Sequence, residues 1–166
     1  MSLDYWHLSI GTVQLALQNH GFEYGPCGTA EFQFRVGSDW YYIYCANLPR
    51  LFIERRVNIR SYLGEDFAPE VLFSAINAIN DKYHLVKVSR EDEYVLRFTH
   101  CLREERYLSF KANLPEYIRE LDDAVDSFKM AVALILKEEK EELWTDYINH
   151  MVNAEDDIHN AKRIQS

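Results

Sequence analysis

Residues 69–88 read PEVLFSAINAINDKYHLVKV, and the change of period inside this stretch decides the fold. Leu72, Ala75, Ile76, Ile79 and Tyr83 recur at three- and four-residue spacing, and Pro69 suits a first helical turn, where its missing N–H costs nothing. From Leu85 onward the residues turn β-branched and alternating, so a strand begins within a few residues of Tyr83. A helix passing directly into a strand, with β-rich sequence on both sides, makes this the hinge of an α+β domain.

Upstream of the hinge, Leu8, Thr12, Leu15 and the flank Val13, Ala16, Leu17 predict a helix over residues 5–20 that stops at Gly21, a natural residue just past a helix end. Gly25-Pro26-Cys27-Gly28 reads as a turn, since neither Lys-Ser/Thr nor a helix follows it as a phosphate loop requires. Three strands come next. Phe32, Phe34 and Val36 alternate with Gln33 and Arg35, residues 37–39 turn, and residues 40–46 are aromatic and β-rich on both faces. After the turn at 47–49, Leu51, Ile53, Val57 and Ile59 line the core side, interrupted by Arg55, with Glu54, Arg56, Asn58 and Arg60 opposite.

Downstream, residues 85–89 and 94–102 predict two strands, with a third over 106–111. The last third is helical. Tyr117, Ile118, Leu121, Ala124, Val125, Phe128, Ala131, Val132 and Ile135 form one apolar stripe, with Pro115 opening the helix and Glu116 and Glu120 near its positive end. The stripe stops at the charged run 137–142 and restarts with Leu143, Trp144, Tyr147, Ile148, Met151, Ala154 and Ile158, which predicts a distinct C-terminal amphipathic helix. An unbroken helix from Pro115 to the end would be about 75 Å long at 1.5 Å per residue. It would overhang the domain, so its apolar face must fold back, pair with another copy or meet a partner. The chain therefore divides into a domain over 1–136 and an extension over 137–166.

Composition sets the functional bounds. With 166 residues, 48% of them hydrophobic and 14% aromatic, the chain fills one core. It carries no apolar run of membrane-spanning length and no secretory leader pattern, which points to the cytoplasm. The formal charge of −9 is concentrated in residues 115–166, which hold 6 basic against 13 acidic side chains. Nucleic acid is thus an unfavoured partner, because that affinity rests on cations displacing counterions. Cys27, Cys45 and Cys101 are odd in number and widely spaced, which argues against disulfides and structural zinc.

No motif supplies catalytic chemistry, and no cofactor is expected. Asp146 with His150 and Glu155 with His159 sit four apart on a helix, but two such pairs nine residues apart do not converge on one ion, so no metal site is assigned. Cys101 beside His100 looks like a thiol pair until strand geometry sends neighbours to opposite faces. Arg35, Arg56, Arg60, Lys87 and Arg97 with Tyr41 or Tyr42 could form a nucleic-acid or small-ligand face on the sheet, which is the alternative reading.

The order of elements, with residues 75–80 reading AINAIN, Lys87 in the next strand, residues 95–98 in the one after and the long helix over 115–136, resembles the YbjN family of candidate bacterial sensory-transduction regulators. The likeness covers residues 5–136. It implies a fold like that of type III secretion chaperones, with an antiparallel sheet of five or six strands in the order α-βββ-α-ββ(β)-α. It also implies a non-enzymatic chaperone-like or regulatory protein that dimerises and binds a polypeptide. Two surfaces are candidates for the partner or the dimer: Trp40, Tyr42 and Tyr44 on the aromatic strand, and Trp144, Tyr147, Ile148 and Met151 on the terminal helix.

Overall fold

A computed structural model describes residues 6–64 and 67–164. The chain runs α1 (Ile10–Asn19), β1 (Glu23–Gly28), β2 (Glu31–Val36), β3 (Asp39–Asn47), β4 (Arg50–Asn58), α2 (Arg60–Leu63), α3 (Pro69–Lys82), β5 (Val86–Arg90), β6 (Val95–Arg103) and α4 (Tyr107–Ile164). The six strands form one sheet in the order β1-β2-β3-β4-β6-β5, every neighbouring pair antiparallel. Helices α1, α3 and α4 pack together on one side of it. No helix among the described residues is long and apolar enough to cross a membrane.

Alternation decides which face is covered. Phe32, Phe34, Tyr41, Ile43, Leu51, Ile53, Leu96 and Phe98 are buried against the helices, and the residues between them turn to the other side. Arg55, the expected interruption, lies on the covered face and is satisfied there. Its guanidinium meets Asp122 of α4 at 2.7 Å and Asp39 at 3.3 Å, and Tyr41 Oη also donates to Asp122.

Four sequence expectations are corrected. Residues 25–28 are not a turn but belong to edge strand β1, paired with β2 through a bulge between Pro26 and Gly28. Proline is tolerated on an edge, where its missing N–H breaks no ladder. Residues 106–111 are not a strand: Tyr107, Phe110 and Leu114 are buried at helical spacing and extend the α4 stripe backwards. Pro115 therefore lies inside the helix rather than opening it. An interior proline leaves the carbonyl four residues back without its donor. Here that carbonyl belongs to Lys111, and His20 Nε2–H donates to it at 2.7 Å.

The terminal segment is no separate helix. α4 continues through the charged run to Ile164, a length of about 87 Å at 1.5 Å per residue. From Lys137 onward every residue whose side chain is described is exposed, so this part does not fold back onto the domain.

The hinge region is held by two side chains. The Asn80 amide donates to the Val88 carbonyl at 3.1 Å and accepts from the Val88 N–H at 2.8 Å, acting as a neighbour for edge strand β5. Lys87 Nζ donates to the carbonyls of Asn80 and Tyr83, which closes the C-terminal end of α3. Asn77 is exposed. Replacing Asn80 by Ala leaves two strand groups unpaired, with an expected loss of about 1–3 kcal/mol in denaturant unfolding. The freed β5 edge should also raise aggregation, read as light scattering; unchanged stability and solubility would contradict this role.

Candidate functional site

The uncovered face of the sheet carries a row of aromatic side chains. Trp40 and Phe52 are 40% and 39% exposed, and Tyr42 and Tyr44 are half-buried. Strand register brings them together: Tyr44 lies opposite Phe52, and Tyr42 opposite Glu54. Phe52 was not singled out in the sequence, although it shares the even-numbered face of β4 with Glu54 and Arg56.

Glu54 is the electrostatic centre of this face. It is only 3% exposed although the face is open, because aromatic and arginine side chains lie over it. Tyr44 Oη donates to its carboxylate at 3.1 Å, Arg56 Nε at 3.1 Å, and Arg97 Nε stands 3.9 Å away. Arg56 also donates to Tyr44 Oη at 3.1 Å, reaches Glu91 at 3.4 Å and lies 4.3 Å above the Tyr42 ring. The rings are thus braced from below. Preorganised Tyr, Trp and Arg side chains are the types that dominate protein interfaces, since little freedom is lost when they are covered.

The cations proposed for nucleic-acid contact are largely committed elsewhere. Arg35 pairs with Glu23 at 2.6 Å and lies over Trp40, and Arg56 pairs with Glu54 and Glu91. Lys87 closes α3 as described. Arg60 is not on the sheet at all; it begins α2 and stacks on Tyr94 at 3.6 Å. Tyr41 points into the core. A shallow cleft of about 330 Å³ opens beside Trp40, Tyr42, Arg56 and Tyr62 at the end of the aromatic row.

The strand edges are poorly suited to accepting another strand. β1 carries Pro26 and a bulge, and Asn80 occupies the outer backbone groups of Val88 in β5. The aromatic strand β3 is internal, third of six. A partner would therefore lie across the face rather than add to an edge.

The second candidate surface is the overhanging part of α4. Trp144, Tyr147, Ile148 and Met151 are 63%, 55%, 42% and 49% exposed, with the Trp144 and Tyr147 rings stacked at 5.8 Å. Asp146, His150, Glu155 and His159 share this exposed segment, and no group of three potential metal ligands forms among the described residues.

One buried polar cluster was missed in the sequence. His100 is fully buried on β6, with Nε2 hydrogen-bonded to Glu120 of α4 and the ring edge-on to Tyr117 at 5.2 Å. Tyr117 Oη donates to Glu104, which also accepts from Asn113 at 3.1 Å. Burial, then the Glu104 carboxylate, holds the Tyr117 phenol well above its usual range. Cys101 lies on the opposite face and is exposed, so it does not meet His100. Cys45 is buried against the Ala30 carbonyl at 3.2 Å, and burial raises its thiol to about 11.

Tyr44 offers a titration test of the braced face. Burial first, then the Glu54 charge, raises its phenol from 10 to about 12. The unfolded chain loses this proton near pH 10 while the folded chain keeps it, so the stabilisation is full below pH 10 and lost as pH rises towards 12. Unfolding stability of the Tyr44→Phe variant should fall less steeply between those pH values, by up to one proton's worth of slope. An identical slope in both proteins would contradict the Glu54 arrangement.

No protein-family model matches the chain, and no curated protein matches it. The crystal structure of YbjN, a candidate transcription regulator from E. coli, is similar over 80% of this chain and 94% of that one, at 13% sequence identity and a TM-score of 0.49.

Proposed function

We propose that the chain is a non-enzymatic binding module, a domain over 1–136 with an arm over 137–166, that holds a polypeptide across the open face of its sheet. The observation behind this reading is the aromatic row Trp40, Tyr42, Tyr44 and Phe52, uncovered by any described element and braced by Arg56 and Glu54. The row supplies apolar area with donors and acceptors at its margin, as extended peptides require. The carboxylates on its arginines make the face a weak competitor for phosphate backbones. The cleft beside Trp40 suits one bulky side chain of the partner, or a small ligand in the alternative reading.

Trp40 can report on this face once Trp6 and Trp144 are replaced by Phe. Titrating extended peptides rich in apolar residues should shift its emission to the blue and saturate. The shift should persist as salt is raised and weaken in the Tyr42→Ala variant. No shift with any peptide, together with salt-sensitive quenching by a single-stranded oligonucleotide, would overturn the polypeptide reading in favour of nucleic acid.

A further inference from the structure

The buried stripe of α4 and the exposed stripe of its arm are not one line. Leu114, Ile118, Leu121, Val125, Phe128 and Val132 face the sheet at alternating spacings of four and three. Continued, that repeat falls on Glu139, Glu142 and Asp146, which are charged. The arm follows its own repeat: Trp144, Tyr147, Met151, Ala154, Ile158 and Ala161, spaced three, four, three, four, three. At about 100° per residue this second stripe is centred about 70° around the helix from the first. It is therefore not aimed at the chain's own domain.

Alternating spacing of three and four is what the seam of a coiled coil requires. Taking the interaction reading above as given, we infer that the arm pairs antiparallel with the arm of a second copy of this chain. Three features select this occupant and direction. The first is volume. With residues that sum to 305 facing each other, Trp144 meets Ala161, Met151 meets Ala154 and Tyr147 meets Ile158, so large side chains oppose small ones in two of three layers. Parallel pairing would instead stack Trp144 on its own copy and Tyr147 on its own.

The second feature is charge. Residues 137–146 hold two lysines against five carboxylates, whereas the far end carries Lys162 and Arg163. Antiparallel pairing sets the acidic start of one arm beside the basic end of the other, with Glu141 near Lys162 at a flanking position. Parallel pairing sets the acidic run against itself. The third is length. In this register residue 164 of one arm faces residue 141 of the other, so the arms overlap fully and residues 137–140 separate the seam from each domain. Two domains would then stand at opposite ends with their open sheet faces free.

The test uses full-length protein with Cys27→Ser and Cys101→Ser, carrying one spin label at either Asn153 or Glu142 through cysteine. Antiparallel pairing places the Asn153 labels within about 20 Å of each other, since paired axes lie about 8–10 Å apart. It places the Glu142 labels about 32 Å apart along the axis at 1.5 Å per residue. Both couplings should vanish in Met151→Glu, while the melting of the domain stays unchanged. Short distances at both sites would mean parallel pairing, and no coupling at any concentration would mean a free arm; either overturns the inference. The Trp40 emission response, read on the corresponding tryptophan-reduced protein, reports on the sheet face separately. A retained response without coupling rejects the pairing alone, and coupling without a response rejects the polypeptide reading alone.

Discussion

The seam between α4 and the sheet is the contact on which the rest of the molecule depends. Its apolar line from Tyr107 to Val132 faces Leu51, Ile53, Leu96 and Phe98, with Phe128 set edge-on to Phe98 at 5.8 Å. Each fully buried large side chain contributes about 1.5–3 kcal/mol. Burial alone would let the helix slide or rotate. Asp122 fixes its position by accepting from both Arg55 and Tyr41, and Glu120, two residues earlier, does the same through His100. Helix α1 adds a third anchor, since His20 takes the Lys111 carbonyl that Pro115 leaves free.

Once the helix is fixed, both exposed surfaces follow from it. Because α1, α3 and α4 crowd one side of the sheet, nothing in the described chain covers the other, and the aromatic row stays open. Because α4 has no break, its direction on the sheet also sets the direction of the arm. The arm and the open face are thus both placed by the same helix. On the proposed reading, a partner across the sheet and a second copy at the arm would use different surfaces.

Most of the fold was legible because local pattern carried it. Alternation gave β2 and β4, aromatic and β-rich composition gave β3, the period change near Tyr83 gave α3 and β5, and Gly21 with its positive φ of 72° marked the end of α1. β1 was hidden because Gly25, Pro26 and Gly28 are poor strand formers, and its pairing comes from β2 rather than from its own propensity. The start of α4 was hidden because six residues fit either period, and the remedy for Pro115 lies on a helix about 90 residues away. Trp40, Tyr42 and Tyr44 were named because a strand aromatic on both faces cannot bury both, and the structure leaves these three at least partly exposed. The Glu54 and Arg56 brace was not legible, since it depends on cross-strand register. Alternation separated His100 from Cys101, but its burial against Glu120 was hidden because nothing local says which face of β6 a helix will cover.

The central claim is that the arm beyond Leu136 owes its helical stability to something other than its own domain. Backbone hydrogen exchange measured across a concentration series tests it most directly. Protection over residues 141–164 should rise with protein concentration, while protection over residues 107–136 stays constant. Arm protection that is high and independent of concentration would show the helix resting on its own domain, and would contradict the account.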